Sequence, residues 1–203
     1  VQSADRLDDA LAQVPGLSLF RRNSSLSANP TTQGVSLRSI APSGAGRALV
    51  TLDGVPLNDP FGGWVIWSSL PTEAIAGAEI VRGAGAGPYG AGALTGVIAL
   101  SEGESGHGAV ADASWGELGS GRAAAAGGWT AGPVSFFGSI SGQTSQGWIP
   151  VDHAQRGAAD DRLTLDAFNA ALRAEADVGA GTILSARAGY YRERRDSGLV
   201  GSA

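Results

Sequence analysis

Across the second half of this chain, apolar residues recur at every second position in five successive segments, and their apolar faces are built largely of alanine and glycine. Ala109, Ala111, Ala113 and Trp115 share one face of the first segment. Ala123, Ala125, Gly127, Trp129 and Ala131 share a face of the second. In the third, Val134, Phe136, Gly138 and Ile140 alternate with Ser135, Ser139, Ser141 and Gln143, and Phe137 is the exception on the polar side. In the fourth, Phe168, Ala170, Leu172, Ala174 and Ala176 alternate with Asn169, Arg173, Glu175 and Asp177. In the fifth, Leu184, Ala186, Ala188 and Tyr190 alternate with Ser185, Arg187 and Glu193, with Ile183 out of pattern. A period of two is the pattern of a strand. A soluble antiparallel sheet with one face on a core would alternate in the same way. Alanine and glycine make a poor soluble core, however, and they can face lipid, so the pattern favours membrane-spanning strands.

The connections support that expectation. Glu117 to Gly121 is short, Gly132-Pro133 is a tight turn, Ser145 to Leu165 is long and polar, and Gly179-Ala180-Gly181 is tight again. Tight turns at one end and longer loops at the other, with Trp115, Trp129, Tyr190 and Tyr191 near strand ends, suit a membrane β-barrel meander.

Composition excludes several other classes. The 203 residues allow one or two domains and a proper core. Thirty-two glycines without a collagen period, 6% aromatics and 16% charged residues describe a chain too apolar to be disordered and too small-residued for an ordinary enzyme core. With no cysteine, disulfide scaffolds, thiolate metal sites and cysteine nucleophiles are excluded. A net charge of -5 argues against nucleic acid as partner. No run of eighteen apolar residues is present, so no transmembrane helix is expected. A start at Val1 with no methionine anywhere suggests a processed form or an excised piece.

The first half reads as a small α/β unit. Ser3 to Val14 is expected to be a helix, with Ser3 as cap, Asp5 and Asp8 in the first turn, Leu7, Leu11 and Val14 on one face, and Pro15-Gly16 as the stop. Strands are expected at Leu17–Phe20, Gly34–Ile40 and Ala48–Leu52. In the second of these, Val35 and Leu37 share one face and Ser36 and Arg38 the other. The third runs through the Asp53-Gly54 turn into Val55-Pro56-Leu57 as a hairpin. Asn58 to Ser69 is a loop, and Pro71 to Ala76 reads as one helical turn with Pro71 at its first position. A strand from Ala78 to Val81 then meets a run in which Gly83, Gly85, Gly87, Gly90, Gly92 and Gly96 precede a second strand, Val97–Leu100.

Little in the chain points to catalysis. Gly85 to Gly90 matches G-x-G-x-x-G, but no helix or βαβ unit follows, so dinucleotide binding is not supported. His107 and His153 have no ligand spacing, no G-x-S-x-G elbow exists, and neither a metal, a cofactor nor a catalytic residue is expected. Asp53-Gly54 reads as a turn. Arg38, Glu79 and Arg82 lie on or beside strands of a small domain, where charges need partners; they form either a solvated edge or a charge cluster holding this domain inside something larger.

Six pieces of the first hundred residues, in order, resemble the plug domain of TonB-dependent outer-membrane receptors. They are Leu11-Ala12-Gln13-Val14-Pro15-Gly16-Leu17; Gly34-Val35-Ser36-Leu37-Arg38; Val50-Thr51-Leu52-Asp53-Gly54-Val55-Pro56-Leu57; Leu70-Pro71; Ala78-Glu79-Ile80-Val81-Arg82-Gly83; and Gly87-Pro88-Tyr89-Gly90-Ala91-Gly92-Ala93-Leu94-Thr95-Gly96-Val97-Ile98. Two positions depart from the family pattern. Ser39 stands where glycine is usual, and Ala78 where isoleucine is usual.

The resemblance implies an α+β plug domain over residues 1–101, followed over 102–203 by antiparallel transmembrane β-strands of an incomplete outer-membrane β-barrel. About 100 residues after Leu100 suffice for about five strands at about ten residues each. A plugged transporter barrel has about 22, and five cannot close. The expected function is energy-coupled uptake of a scarce nutrient such as a ferric siderophore or cobalamin, with the plug gating the barrel. The partners it implies are TonB and its inner-membrane complex, reached through an upstream segment; outer-membrane lipid; and a small nutrient ligand such as a metal chelate.

On this reading Gly83, Gly87, Tyr89, Gly90, Gly92 and Gly96 let the plug pack tightly within the barrel. Arg38, Glu79 and Arg82 pair with charges of the inner barrel face, with Arg173 and Glu175 as candidates. The loops Asn23–Thr32 and Asn58–Trp67 meet ligand, with Asn23, Asn58, Trp64 and Trp67 as contacts; Trp64 and Trp67 either stack on a planar ligand or anchor their loop. A soluble β-rich interaction module, and a receptor of the same family used for signalling or glycan uptake, are the alternatives.

Overall fold

The computed structural model describes residues 6–19, 24–37, 48–83, 89–90, 92–104, 106 and 108–200. Two compact units divide the chain, Val1–Glu102 and Gly103–Ala203.

In the first unit, helix α1 spans Leu7–Ala12. Leu7 and Leu11, one turn apart, are buried against the core, and Val14 packs at its edge. The helix is shorter than the sequence suggests. Its last bonds, from the amides of Gln13 and Val14 to the carbonyls of Ala10 and Leu11, tighten to a three-residue spacing, because Pro15 disfavours a helical residue before it. Its first bond runs from the Ala10 amide to the Arg6 carbonyl, so Arg6 holds the cap position. Ser3 lies outside the described residues.

Strand β1 (Leu17–Leu19) pairs antiparallel with β2 (Val35–Leu37). All three β2 residues are buried, Ser36 included, so the expected one-sided alternation does not hold there. Strands β3 (Ala48–Leu52), β4 (Val55–Pro56), β5 (Ile75–Arg82) and β6 (Gly96–Glu102) form a sheet in the order β4-β3-β6-β5. The β3–β6 pair is parallel and the others antiparallel. Asp53 and Gly54 both have positive φ, 48° and 82°, as a two-residue hairpin turn requires.

Pro71 is extended and stands before a short 3-10 turn, Thr72–Ala74, rather than inside a helix. Strand β5 then starts at Ile75, earlier than Ala78, because a bulge between Ile75 and Gly77 lets Ile75 pair with Glu102. The core gathers α1, β1, β2, β3 and β6 around Leu37, Val50, Val65, Trp67 and Ile98.

The second unit is one antiparallel sheet in simple chain order: β7 (Ala109–Trp115), β8 (Gly121–Ala131), β9 (Val134–Ser145), β10 (Leu165–Gly179) and β11 (Thr182–Arg195). Gly132 at φ 61° and the Gly179–Ala180–Gly181 run at positive φ close the two tight turns. Both lie at one end of the sheet. The 116–120 and 146–164 connections lie at the other, where the Gln146 amide donates to the Leu118 carbonyl.

Candidate functional site

The second unit's sheet is inverted with respect to a soluble one. Along β9 and β10 the face that carries the polar residues is the more covered one, with Ser139, Ser145 and Asn169 buried there beside Leu165 and Ala167, whereas on β7 and β11 the same face is largely exposed. Phe137, the one aromatic residue on that face of β9, is 6% exposed. The apolar face is open, with Trp115 79%, Leu184 61% and Ile140 49% exposed. Register places Trp129 opposite Phe136, their rings stacked at 5.3 Å, near the tight-turn end. Trp115 and the Phe168–Tyr190 pair stand toward the other end. Between them the open face is alanine, glycine, leucine and isoleucine. From Gly121, which faces Trp115, to Trp129 the belt runs about 26 Å along the strand at about 3.3 Å per residue. At the about 35–45° tilt of a barrel strand this is about 20 Å along the membrane normal, near the apolar band of an outer-membrane barrel, and it is flanked by aromatics as such a band is. Among the described residues no helix is long and apolar enough to cross a membrane.

At the long-loop end the 146–164 connection is held by its own backbone. The Leu163 amide donates to the Trp148 carbonyl, Asp152 caps the 153–155 turn, and Arg156 Nε donates to the Val151 carbonyl. The chain after β11 docks on it, with the Asp161 amide on the Gly198 carbonyl and the Val200 amide on the Ala159 carbonyl. On the polar face of β11, Tyr191 donates to Glu193, which also pairs with Arg195, all three side chains being partly buried. Sequence alone did not single out this group, although the period-two rule places residues 191, 193 and 195 on the face of Arg187.

In the first unit the two loops expected to meet ligand are joined. The Gln33 carbonyl accepts from the Val65 amide and from Trp67 Nε1, while the Gln33 side chain donates to the Ala28 carbonyl. Gln33 is fully buried and was not singled out from sequence, since nothing in its spacing marks it.

Asn58 holds the hairpin to its loop. Its Oδ1 accepts from the Val50 amide, and its Nδ2 donates to the carbonyls of Ala48 and Gly63. Asp59 Oδ1 accepts from the amides of Phe61 and Gly62. The ring of half-buried Trp64 lies directly over Gly62, where a Cβ would fall 1.7 Å from it. Trp67 is 2% exposed and packs in the core. Phe61, by contrast, is 98% exposed at the loop tip. Asn23 lies outside the described residues.

Arg82 is exposed, and its Nη2 donates to the Pro15 carbonyl at 2.7 Å, tying β5 to the end of α1. Glu79 is also exposed. An odd spacing of three along β5 turns the two side chains to opposite faces, so β5 does not itself bring them together. Arg38 lies outside the described residues. On β10, Arg173 lies 3.4 Å from Glu175 and donates to the Gly103 carbonyl.

In the glycine run, Gly83, Gly90 and Gly96 have positive φ, Tyr89 is exposed, and a Cβ on Gly92 would lie 3.4 Å from Leu49; Gly87 lies outside the described residues. Gly96 is the most constrained. At φ 142° a Cβ there would stand 2.2 Å from the Val81 carbonyl oxygen. Among the described residues no cluster of three or more histidine or carboxylate side chains is placed to hold a metal ion.

Comparison with known proteins gives a concordant result. Residues 1–97 match the family model described as the TonB-dependent receptor plug domain. No curated protein sequence matches the chain. Among solved structures, the siderophore receptor PirA from Acinetobacter baumannii is similar at a TM-score of 0.72 and 16% identity, over 98% of this chain and 30% of that one. The unliganded ferric citrate transporter FecA is similar at 0.70 and 17%, over 96% of this chain and 29% of that one. The pyoverdine outer-membrane receptor FpvA from Pseudomonas aeruginosa PAO1 is similar at 0.67 and 17%, over 95% and 26%. The chain thus spans less than a third of each, and at these identities the likeness is one of fold.

Proposed function

The chain belongs to the TonB-dependent receptors, outer-membrane proteins whose plug occupies the barrel lumen, through the plug domain at residues 1–97, and on that premise we propose that the protein it forms part of imports a ferric siderophore by energy-coupled displacement of the plug. The observation that carries this reading is the inverted sheet that comes after the plug, open on its alanine-rich face and, along β9 and β10, more covered on its polar face. A plug alone would suit several uses; a plug continuous with lipid-facing strands suits transport. The ligand class is taken from the similar structures, one of which is a siderophore receptor, one a pyoverdine receptor and one a ferric citrate transporter.

TonB would act on a segment upstream of the plug. No bond in the ligand is made or broken; the work is binding, gating and release. Ligand contact in the plug falls to the exposed tip of the 58–67 loop, with Phe61 as the aromatic available for stacking. Glu79 and Arg82, both exposed on β5, remain the candidates for ion pairs between plug and barrel wall. A plug that must move can exchange such pairs for others as it goes.

Fractionation of the full-length gene product tests the reading, followed by a heat-modifiability gel and uptake of labelled iron chelates and corrinoids with and without TonB. Outer-membrane partition, faster migration unheated and TonB-dependent uptake of an iron chelate are expected. A soluble, heat-insensitive product would overturn transport altogether. Uptake of a corrinoid alone would overturn the ligand class.

A further inference from the structure

We propose that Gly103, Phe137 and Arg173 form an anchor that fixes the chain where it enters the barrel wall, so that displacement of the plug stops at Glu102 and leaves β7 in place. This rests on the plug-gating reading above and adds to it a mechanical limit.

Gly103 is the first residue of the second unit. Three contacts converge on it and its neighbours. Arg173 Nη2 donates to its carbonyl at 2.9 Å. The Arg173 guanidinium carbon lies 5.7 Å from the centroid of the Phe137 ring, within cation–π range. The ring edge stands against Gly103 itself, so that a Cβ there would meet Phe137 at 2.5 Å. Register explains the assembly: Phe137 of β9 and Arg173 of β10 are direct cross-strand partners on the covered face. Glu175, two residues along the same face, lies 3.4 Å from Arg173 Nε.

Phe137 is the anomaly of the period-two pattern, a large aromatic where Ser135, Ser139, Ser141 and Gln143 are polar. A serine there could neither cover Gly103 nor carry a guanidinium. A charge-assisted bond to a backbone carbonyl beside an aromatic ring, partly out of water, is stronger than an ordinary one.

The place of the anchor along the chain gives it its mechanical meaning. The next described backbone bond to the wall is from the Gly128 amide to the Gly108 carbonyl, and β7 begins at Ala109. β7 is the shortest strand of its sheet, seven residues. Tension passing down the chain from the plug meets Gly103 before it meets β7. Without the anchor it would load the end of β7, where ladder bonds can open one at a time.

The test uses the full-length receptor in a bilayer, pulled from its N-terminus, with the released chain length read before the first rupture of the wall. In the wild type the release is expected to stop at Glu102. In Arg173→Ala and Phe137→Ala it is expected to run on through β7, about 45 Å further at about 3.5 Å per residue. Arg173→Lys, which keeps the charge but loses the planar fork and stacking, should fall between in rupture force. Equal lengths and forces in all four proteins would overturn the anchor. Heat-modifiability of each variant shows that its barrel has assembled. Should Arg173→Ala fail that check, Gly103→Ala, which displaces the Phe137 ring and leaves the wall intact, takes its place. Uptake separates the two readings. A wild type that halts at Glu102 but imports no ligand removes the transport reading and leaves the anchor. A wild type that imports while Arg173→Ala halts at the same length removes the anchor alone.

Discussion

At the scale of single residues, the aromatic side chains divide by burial in a way their names do not reveal. Trp64 and Trp67 sit three apart in one loop, yet Trp67 is buried and donates from its ring nitrogen to the Gln33 carbonyl, while Phe61 points wholly into solvent. Trp67→Ala is therefore expected to destabilise the plug by about 3–5 kcal/mol, as removal of a buried large aromatic does. Phe61→Ala should alter stability by no more than about 0.5 kcal/mol and act on ligand affinity instead. Hydrogen exchange of the plug amides and ligand titration of the two variants separate the effects; weakened binding in Trp67→Ala with unchanged exchange would reverse the assignment. Composition could not tell these rings apart because burial in a loop depends on a partner, here Gln33, that lies 34 residues away in sequence. Asp53-Gly54, by contrast, was legible at once, since a two-residue turn between apolar runs needs positive φ at both positions and these residues tolerate it.

Among the elements, strands of the second unit were legible and the short ones of the first were less so. Period two persists over 11 to 15 residues in β8, β9, β10 and β11, long enough for the pattern to speak for itself. β2 is three residues covered on both faces, and there alternation has no meaning. The early start of β5 depends on a bulge, which no local pattern announces. The faces of the long strands make unequal demands. Leu172→Arg, on the open face amid the belt, is expected to cost about 2–4 kcal/mol of assembly free energy in the bilayer. Ser185→Arg, on the other face, exposed and paired in register with Glu175, should be tolerated. Recovery of folded receptor from outer-membrane fractions checks this; equal losses would mean that the two faces do not see different solvents.

For the molecule as a whole, five strands make an unfinished wall. Among the described residues β7 and β11 each have one neighbour strand, so each leaves a row of backbone donors and acceptors open. Residues 1–203 produced alone are expected to associate through these edges and to show no heat-modifiable band, whereas the full-length protein shows one. A monomeric, heat-modifiable 1–203 product would contradict the open-sheet reading.

The open face of that wall is plain in chemical terms: mostly methyl groups and bare backbone between two aromatic borders. A strand destined for the bilayer must first cross water unfolded. Leucine or phenylalanine at every lipid-facing position would expose a large apolar area on the way and invite collapse. Ala109, Ala111, Ala113, Ala123 and Ala125 expose little, and the mean hydropathy of the chain is only +0.03. Packing strength is thereby exchanged for safe passage: the face is apolar enough to be stable once among acyl chains, yet too weakly so to hold the polypeptide back before it arrives.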